Sequence, residues 1–187
     1  AWNKFLDGKR VDIVDKHQNE IAGYVDFRQM LSSWMTFNAG FRVDNHDQAG
    51  TECIPQAGLA FHLPKDAELK LSASRGFRYP IIREMFMWGV ANADLEAESI
   101  WNYEVAFSQK LMDNQLKYGV NVFHLRGDNM IAVAPVNGKM MNVNTGVIEN
   151  TGVEFQVDYR LSPMVSLNGN YSYLHMENPV IGSPEHK

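Results

Sequence analysis

The chain is predicted to be an all-β protein, an antiparallel up-and-down sheet of about eight strands that forms a segment of a transmembrane β-barrel. Three observations predict this fold: apolar and polar residues alternate with a period of two, short and long connections alternate along the chain, and aromatic residues lie near strand ends. Alternation alone fits a strand between water and either lipid or a protein core. A soluble β-sandwich binding module, with its apolar faces packed inward, is therefore the alternative.

The alternation divides the chain into three parts. Residues 1–20 are polar and weakly patterned, and they are predicted to be loop with a partial strand at 11–14. Residues 21–175 carry the barrel segment, and 176–187 begin a loop on the outer side. The predicted strands cover 21–28, 35–44, 55–63, 68–76, 101–111, 116–122, 152–161 and 165–173.

The strand at 152–161 shows the alternation most clearly. Val153 and Phe155 share one face with the other apolar residues, whereas Glu154 and Gln156 share the opposite face with further ionisable groups. A row of such polar groups cannot lie in a dry core without partners. One face of the predicted sheet is therefore expected to meet water, and the other to meet lipid.

The connections differ in length at the two ends of the predicted sheet. Outer-membrane barrels have short periplasmic turns and long extracellular loops, with aromatic girdles at both membrane interfaces. Trp101 and Tyr103 lie near a long connection and Trp34 lies at a short one, as such girdles require. The short turns fall at 32–33, 64–66, 113–114 and 162–163, and the long loops are expected at 45–52, 79–100, 127–150 and the end of the chain.

Composition excludes several functional classes. The net charge of −5 without a basic block argues against a nucleic-acid partner. The single cysteine, Cys53, rules out a Cys-x-x-Cys metal or redox motif. No apolar run is long enough for a transmembrane helix, and no catalytic motif is present, so the protein is not expected to be an enzyme.

A series of short motifs resembles the barrel of a TonB-dependent outer-membrane receptor. The central ones read GFRYP at 76–80, REMF at 83–86, NADLEAE at 92–98 and WNYE at 101–104. Each motif is weak alone, but their order from about residue 21 to residue 173 is specific to the family. Further motifs of the series are GYV at 23–25, AGFRVD at 39–44, PQAGLA at 55–60, NTGVE at 150–154 and GNYSY at 169–173.

The resemblance implies a bacterial outer-membrane barrel of about 22 strands, closed by an N-terminal plug. It implies active uptake of a scarce nutrient, with energy relayed from the inner-membrane TonB complex through the plug. The chain lacks a plug sequence and the last strands of the family barrel, so it is expected to be an interior segment in contact with the lipid bilayer. Such a segment exposes two sheet edges.

The resemblance also bears on the nutrient. Haem receptors of the family carry Phe-Arg-x-Pro and Asn-Pro-x-Leu boxes with an iron-ligating histidine between them. Here the boxes read FRYP at 77–80 and NADL at 92–95, and no histidine lies between them, so haem is not expected. A structural interpretation of the first box is that Pro80 ends a strand while Arg78 pairs with neighbouring carboxylates.

The predicted ligand is an anionic iron chelate of the siderophore type, because the fixed charge and forked donors of arginine suit such a ligand. The predicted ligand contacts are Arg42, Arg78, Arg83, Trp88 and Asn92. Import of cobalamin, a glycan or copper is the alternative within the family, and no resident metal or cofactor is expected. Soft donors that suit copper, or that simply pack, are His46, Met85, Met87, Met140, Met141, His175 and Met176.

Overall fold

The computed structural model describes residues 2–6, 9–14, 17–87 and 89–177, with the side chains of 2–14 and 145 left out. No helix in these ranges is long and apolar enough to cross a membrane. The strands are β1 (Trp2–Leu6), β2 (Lys9–Val14), β3 (Glu20–Ser32), β4 (Met35–His46), β5 (Gly50–Leu63), β6 (Ala67–Arg78), β7 (Glu98–Leu111), β8 (Leu116–Val136), β9 (Lys139–Ser162) and β10 (Val165–Glu177), and the short helix α1 is Ile82–Phe86.

Strands β3 to β10 form one antiparallel sheet in which every strand pairs with its neighbour in sequence. The expected loop at the start of the chain instead contains a separate two-stranded sheet, β1 with β2. The expected final loop begins later, because β10 continues to Glu177, and residues 178–187 lie outside the described part.

The register places the predicted apolar residues side by side across the whole sheet. Phe107 lies beside Leu69 and Val120, and the same row continues through Phe155 to Tyr171. This face is open: Val25 and Tyr171 are each 64% exposed. Within the described residues no second sheet covers it, which contradicts the β-sandwich alternative, because a sandwich buries its apolar faces against each other.

The opposite face carries the polar residues in equally regular rows. One row runs from Lys70 through Ala106 and Asn121 to Glu154 and Ser172. A cavity of about 500 Å³ lies against these side chains, which places the polar residues on the concave side of the sheet. The sheet therefore has the curvature and the two unlike faces of a barrel wall, with β3 and β10 as its open edges.

The turns at one end of the sheet are short, as predicted. At the other end, the prediction of a long loop is wrong for two of the connections. The polar stretch 45–52 is strand on both sides of a tight turn at 47–49. The stretch 127–150 is a long hairpin in which β8 and β9 pair up to Val136 and Lys139.

Asn137 and Gly138 close this hairpin. Their φ angles are 49° and 77°, and an Asn-Gly pair with two positive φ angles is the preferred two-residue hairpin turn because its twist matches that of the strands. The eleven residues from Arg126 to Val136 span about 30 Å at the usual rise, with a bulge between Gly127 and Ile131. We call this end of the sheet the outer end.

Candidate functional site

The largest irregular segment of the outer end is the connection between β6 and β7, residues 79–97, here called the outer loop. Pro80, which is less than 2% exposed, follows the end of β6. Glu84 accepts the N–H of Ile81 at 3.0 Å and so caps α1. The outer loop contains buried side chains, namely Pro80, Met85, Met87, Leu95 and Ala97. It is therefore a packed unit, fixed between two neighbouring parts of the sheet.

Arg78 joins the two ends of the outer loop. Its Nε donates to Glu98 Oε2 at 2.5 Å, and its Nη1 and Nη2 donate to Glu84 at 3.0 and 3.2 Å. The second carboxylate oxygen of Glu98 accepts the N–H of Ile131 in β8 at 2.8 Å. Burial raises the pKa of Glu98, but the hydrogen bonds from Arg78 and Ile131 outweigh it and leave this pKa below its usual value. The structural interpretation of the FRYP box is confirmed.

On one side the outer loop rests against the turn between β4 and β5. Tyr79 Oη donates to the carbonyls of Asp44 and Gly50 at 3.3 and 3.2 Å, and its ring lies 4.5 Å from that of His46. His46 Nδ1 in turn accepts the N–H groups of Gln48 and Ala49. This nitrogen is therefore engaged in holding the turn.

Arg42 belongs to the same side of the outer end. It donates from Nε and Nη2 to the fully buried carboxylate of Asp44, at 2.5 and 2.9 Å, while half of its own side chain stays exposed. The hydrogen bond from Arg42 holds the pKa of Asp44 below its usual value, against the effect of burial. The edge of the Arg42 guanidinium formed by Nε and Nη2 is thus occupied by Asp44.

On its other side the outer loop is bound to the β8–β9 hairpin. Asn92 donates from Nδ2 to the carbonyl of Asn142 at 2.9 Å, and its Oδ1 accepts the N–H of Asp94. Asn142 and Asn144 return further bonds to the loop backbone. The amide of Asn92, a predicted ligand contact, is therefore engaged by the hairpin through Nδ2 and by the loop itself through Oδ1.

Arg83 differs from the other predicted arginines. Its side chain is exposed on α1, and among the described residues no carboxylate forms an ion pair with it. It borders a cavity of about 280 Å³ whose other walls are Glu84, Val90, 131–133 and Asn142. Trp88 lies outside the described residues, so its role stays a prediction, as do the ligand contacts of all five predicted residues.

Sequence reasoning missed the partners that hold this arrangement. Glu84 and Glu98 lie in the quoted motifs, but nothing in their spacing identified them as the two carboxylates of Arg78. Asn142 and Asn144 lie in a stretch that was predicted to be loop, so no face of a strand was assigned to them. The Asn137-Gly138 pair was the available signal, because it marks a hairpin and so assigns alternating faces to 139–150.

Two of the predicted methionine donors are buried, whereas Met140, His175 and Met176 are exposed. Met85 and Met87 are 3% and 1% exposed, and Met85 Sδ lies 3.7 Å from Gln18 Nε2. Across the described residues, no three His, Cys, Asp or Glu side chains come together as a metal site would require.

Known proteins of similar sequence and structure are outer-membrane receptors. The iron-regulated outer membrane virulence protein of Vibrio cholerae is 23% identical over 97% of this chain and 34% of its own length. The metal-pseudopaline receptor CntO of Pseudomonas aeruginosa is 23% identical over 81% of the chain and 20% of its own length. The crystal structure of the siderophore receptor PirA of P. aeruginosa superposes with a TM-score of 0.76 and 20% identity, over 85% of this chain and 32% of that one.

These matches cover at least four-fifths of this chain but only about a third or less of the similar proteins. The model of the family described as "TonB dependent receptor-like, beta-barrel" matches residues 3–187. Its members are transport receptors of the bacterial outer membrane, and its fold is the antiparallel up-and-down barrel of which the eight-stranded sheet is a part. The chain belongs to the TonB-dependent receptor family, as a segment of its outer-membrane β-barrel.

Proposed function

We propose that the receptor containing this chain takes up an iron chelate of the siderophore type across the outer membrane. The observation that carries the proposal is Arg83, an exposed cation without an ion-pair partner among the described residues, on an outer loop that is otherwise internally bonded. A fixed guanidinium with free donors suits the carboxylate, catecholate or hydroxamate oxygens of an anionic chelate. The names of the similar proteins, an iron-regulated protein and a siderophore receptor, support the same class of ligand.

Transport is proposed to depend on TonB, through a plug that occupies the barrel lumen. The concave polar face, with its ionisable rows and its cavity of about 500 Å³, suits a hydrated surface packed against such a domain. Glu154 and Lys70 lie on this face. The apolar face supplies the lipid contact.

The test uses the full-length receptor in a strain from which its gene is deleted. Growth on iron-limited medium is measured with ferric catecholate, hydroxamate and citrate chelates, and with haem, cobalamin and glycans. Rescue by one class of ferric chelate is expected. Rescue by cobalamin or a glycan alone would overturn the proposal, and rescue by haem would overturn the interpretation of the two boxes.

Binding and uptake are then separated with labelled chelate. Arg83→Ala is expected to weaken binding about tenfold, the size of a lost charge-assisted hydrogen bond. Lys139→Ala is the matched control, because Lys139 is an exposed cation at the tip of the β8–β9 hairpin. Deleting TonB should abolish uptake and leave binding intact; unchanged uptake would exclude TonB coupling.

A metal chelate other than iron is the second candidate. It is favoured by the similarity to a protein named as a metal-pseudopaline receptor. The same chelators loaded with zinc, nickel, cobalt or copper distinguish the two, since a receptor for iron chelates should prefer the ferric forms.

A further inference from the structure

Two asparagines of β9 bind the backbone of the outer loop along one face of the strand. Asn142 and Asn144 are two residues apart and therefore point to the same side. Asn144 accepts the N–H of Glu96 through Oδ1 at 2.9 Å and donates from Nδ2 to the carbonyl of Glu96 at 3.0 Å. The amide thus pairs with both backbone groups of one residue, as a neighbouring strand would.

Asn142 binds the loop at three further points. Its N–H donates to the carbonyl of Val90 at 2.7 Å, its carbonyl accepts from Asn92 Nδ2 at 2.9 Å, and its own Nδ2 donates to the carbonyl of Glu84 at 2.9 Å. The first two of these bonds are made by the backbone of Asn142, so only the bond to Glu84 depends on its side chain. The bond to Glu84 reaches α1 directly beside Arg83.

Burial increases the energetic weight of the Asn142 bonds, whereas the paired bonds between Asn144 and Glu96 lie at the surface of the loop. Asn142 is 7% exposed, and Leu95 and Ala97 of the loop are 3% and 4% exposed. A buried carbonyl or N–H that loses its partner carries a desolvation penalty that water cannot relieve in place. Replacing both side-chain amides removes the bonds to Glu84 and Glu96 and should therefore loosen the loop, while the two backbone bonds of Asn142 remain.

We infer that Asn142 and Asn144 are positioning residues of the ligand site: they hold the outer loop in the conformation that presents Arg83 to the incoming chelate. The inference rests on the proposed function of Arg83. Its physical basis is preorganisation, because a ligand that binds an already ordered loop does not lose affinity to the ordering of that loop.

The test uses the full-length receptor in liposomes, with Cys53→Ser and a nitroxide label on Ala93→Cys, an exposed position of the loop. The Asn142→Ala and Asn144→Ala double variant should narrow the spectrum of the label, which reports a mobile loop. It should also raise the Kd for the ferric chelate selected by growth rescue about tenfold, with the number of binding sites unchanged. Asn168→Ala, an exposed asparagine near the opposite end of the sheet, is the matched control and should change neither quantity.

A double-mutant cycle separates positioning from a general structural role. In an Arg83→Ala background, the two asparagine changes should still free the loop but should weaken binding less than twofold further, because the group they position is gone. A full tenfold loss in that background would overturn the inference, as would a label that stays immobile. If Arg83→Ala alone leaves binding unchanged, it is the proposed role of Arg83 that fails, whatever the label shows.

Discussion

Arg78 and Glu98 face each other across β6 and β7 and form a hydrogen-bonded ion pair at the base of the outer loop. The Glu98 side chain is 8% exposed, whereas that of Arg78 is 43% exposed and also reaches Glu84 in α1. One cation thus connects the last residue of the first strand, the loop helix and the first residue of the second strand. The entry and the exit of the loop are held together by this pair.

Replacing Glu98 by Gln should loosen the outer loop. The Gln amide removes the charge that Arg78 binds and places a donor where an acceptor is needed. Because Arg78 is partly exposed, the free energy of local opening should fall by only about 1 to 2 kcal/mol. Hydrogen exchange of residues 81–97 in the liposome-embedded receptor measures this as a lower free energy of local opening. Asp128→Asn, which alters the exposed pair with Arg126, is the control; an equal effect there would contradict the role of Glu98.

Arginine on the two faces of β9 should have very different effects. Phe155→Arg places a charge on the apolar face and should lower the free energy of unfolding by about 2 to 4 kcal/mol if the position is near the membrane midplane. Gln156→Arg faces the concave polar side and should be much milder. Denaturant titration of the receptor folded into lipid vesicles measures both. Equal costs at the two positions would contradict the assignment of the faces.

The turn of the β8–β9 hairpin should not tolerate a branched side chain at Gly138. Its φ of 77° is favourable for glycine, and Gly138→Val should cost at least about 1 kcal/mol of local stability. Reduced protection from hydrogen exchange in residues 131–144 is the expected result. Gly23→Ala, where the added carbon meets nothing within 4 Å, is the control. Full protection in Gly138→Val would show that the hairpin does not depend on this turn.

Acidification should loosen the contact between the outer loop and the β4–β5 turn. The hydrogen bond from Arg42 lowers the pKa of Asp44 in the folded protein, whereas in the unfolded chain the value is about 3.9. The stabilisation is therefore complete above about pH 5. It is lost as the pH falls below about 4 and passes through the lowered pKa of Asp44 in the folded protein. Local opening of residues 44–50, measured by hydrogen exchange across this range, should show the loss. In Asp44→Asn the same pH dependence should be absent; if it persists, another group is responsible.

The faces of the sheet could be predicted from the sequence because they depend on a period of two that is local. Phe107 and Phe155 were assigned to one side by their immediate neighbours, and the register places both in a single apolar row. The four short turns were found in the same way. The family could also be recognised, since its motifs recur in order along the chain.

The outer end was decided by the tertiary structure. Arg78 finds its carboxylates 6 and 20 residues away, and Asn142 bonds to Glu84 across 58 residues. No local pattern encodes such pairs, because hydrogen bonds between distant segments form only when the sheet brings those segments together. The sequence by itself determined an amphipathic barrel wall and its family; the folded chain determined that Arg78 is paired with two carboxylates, whereas Arg83 has no ion-pair partner among the described residues.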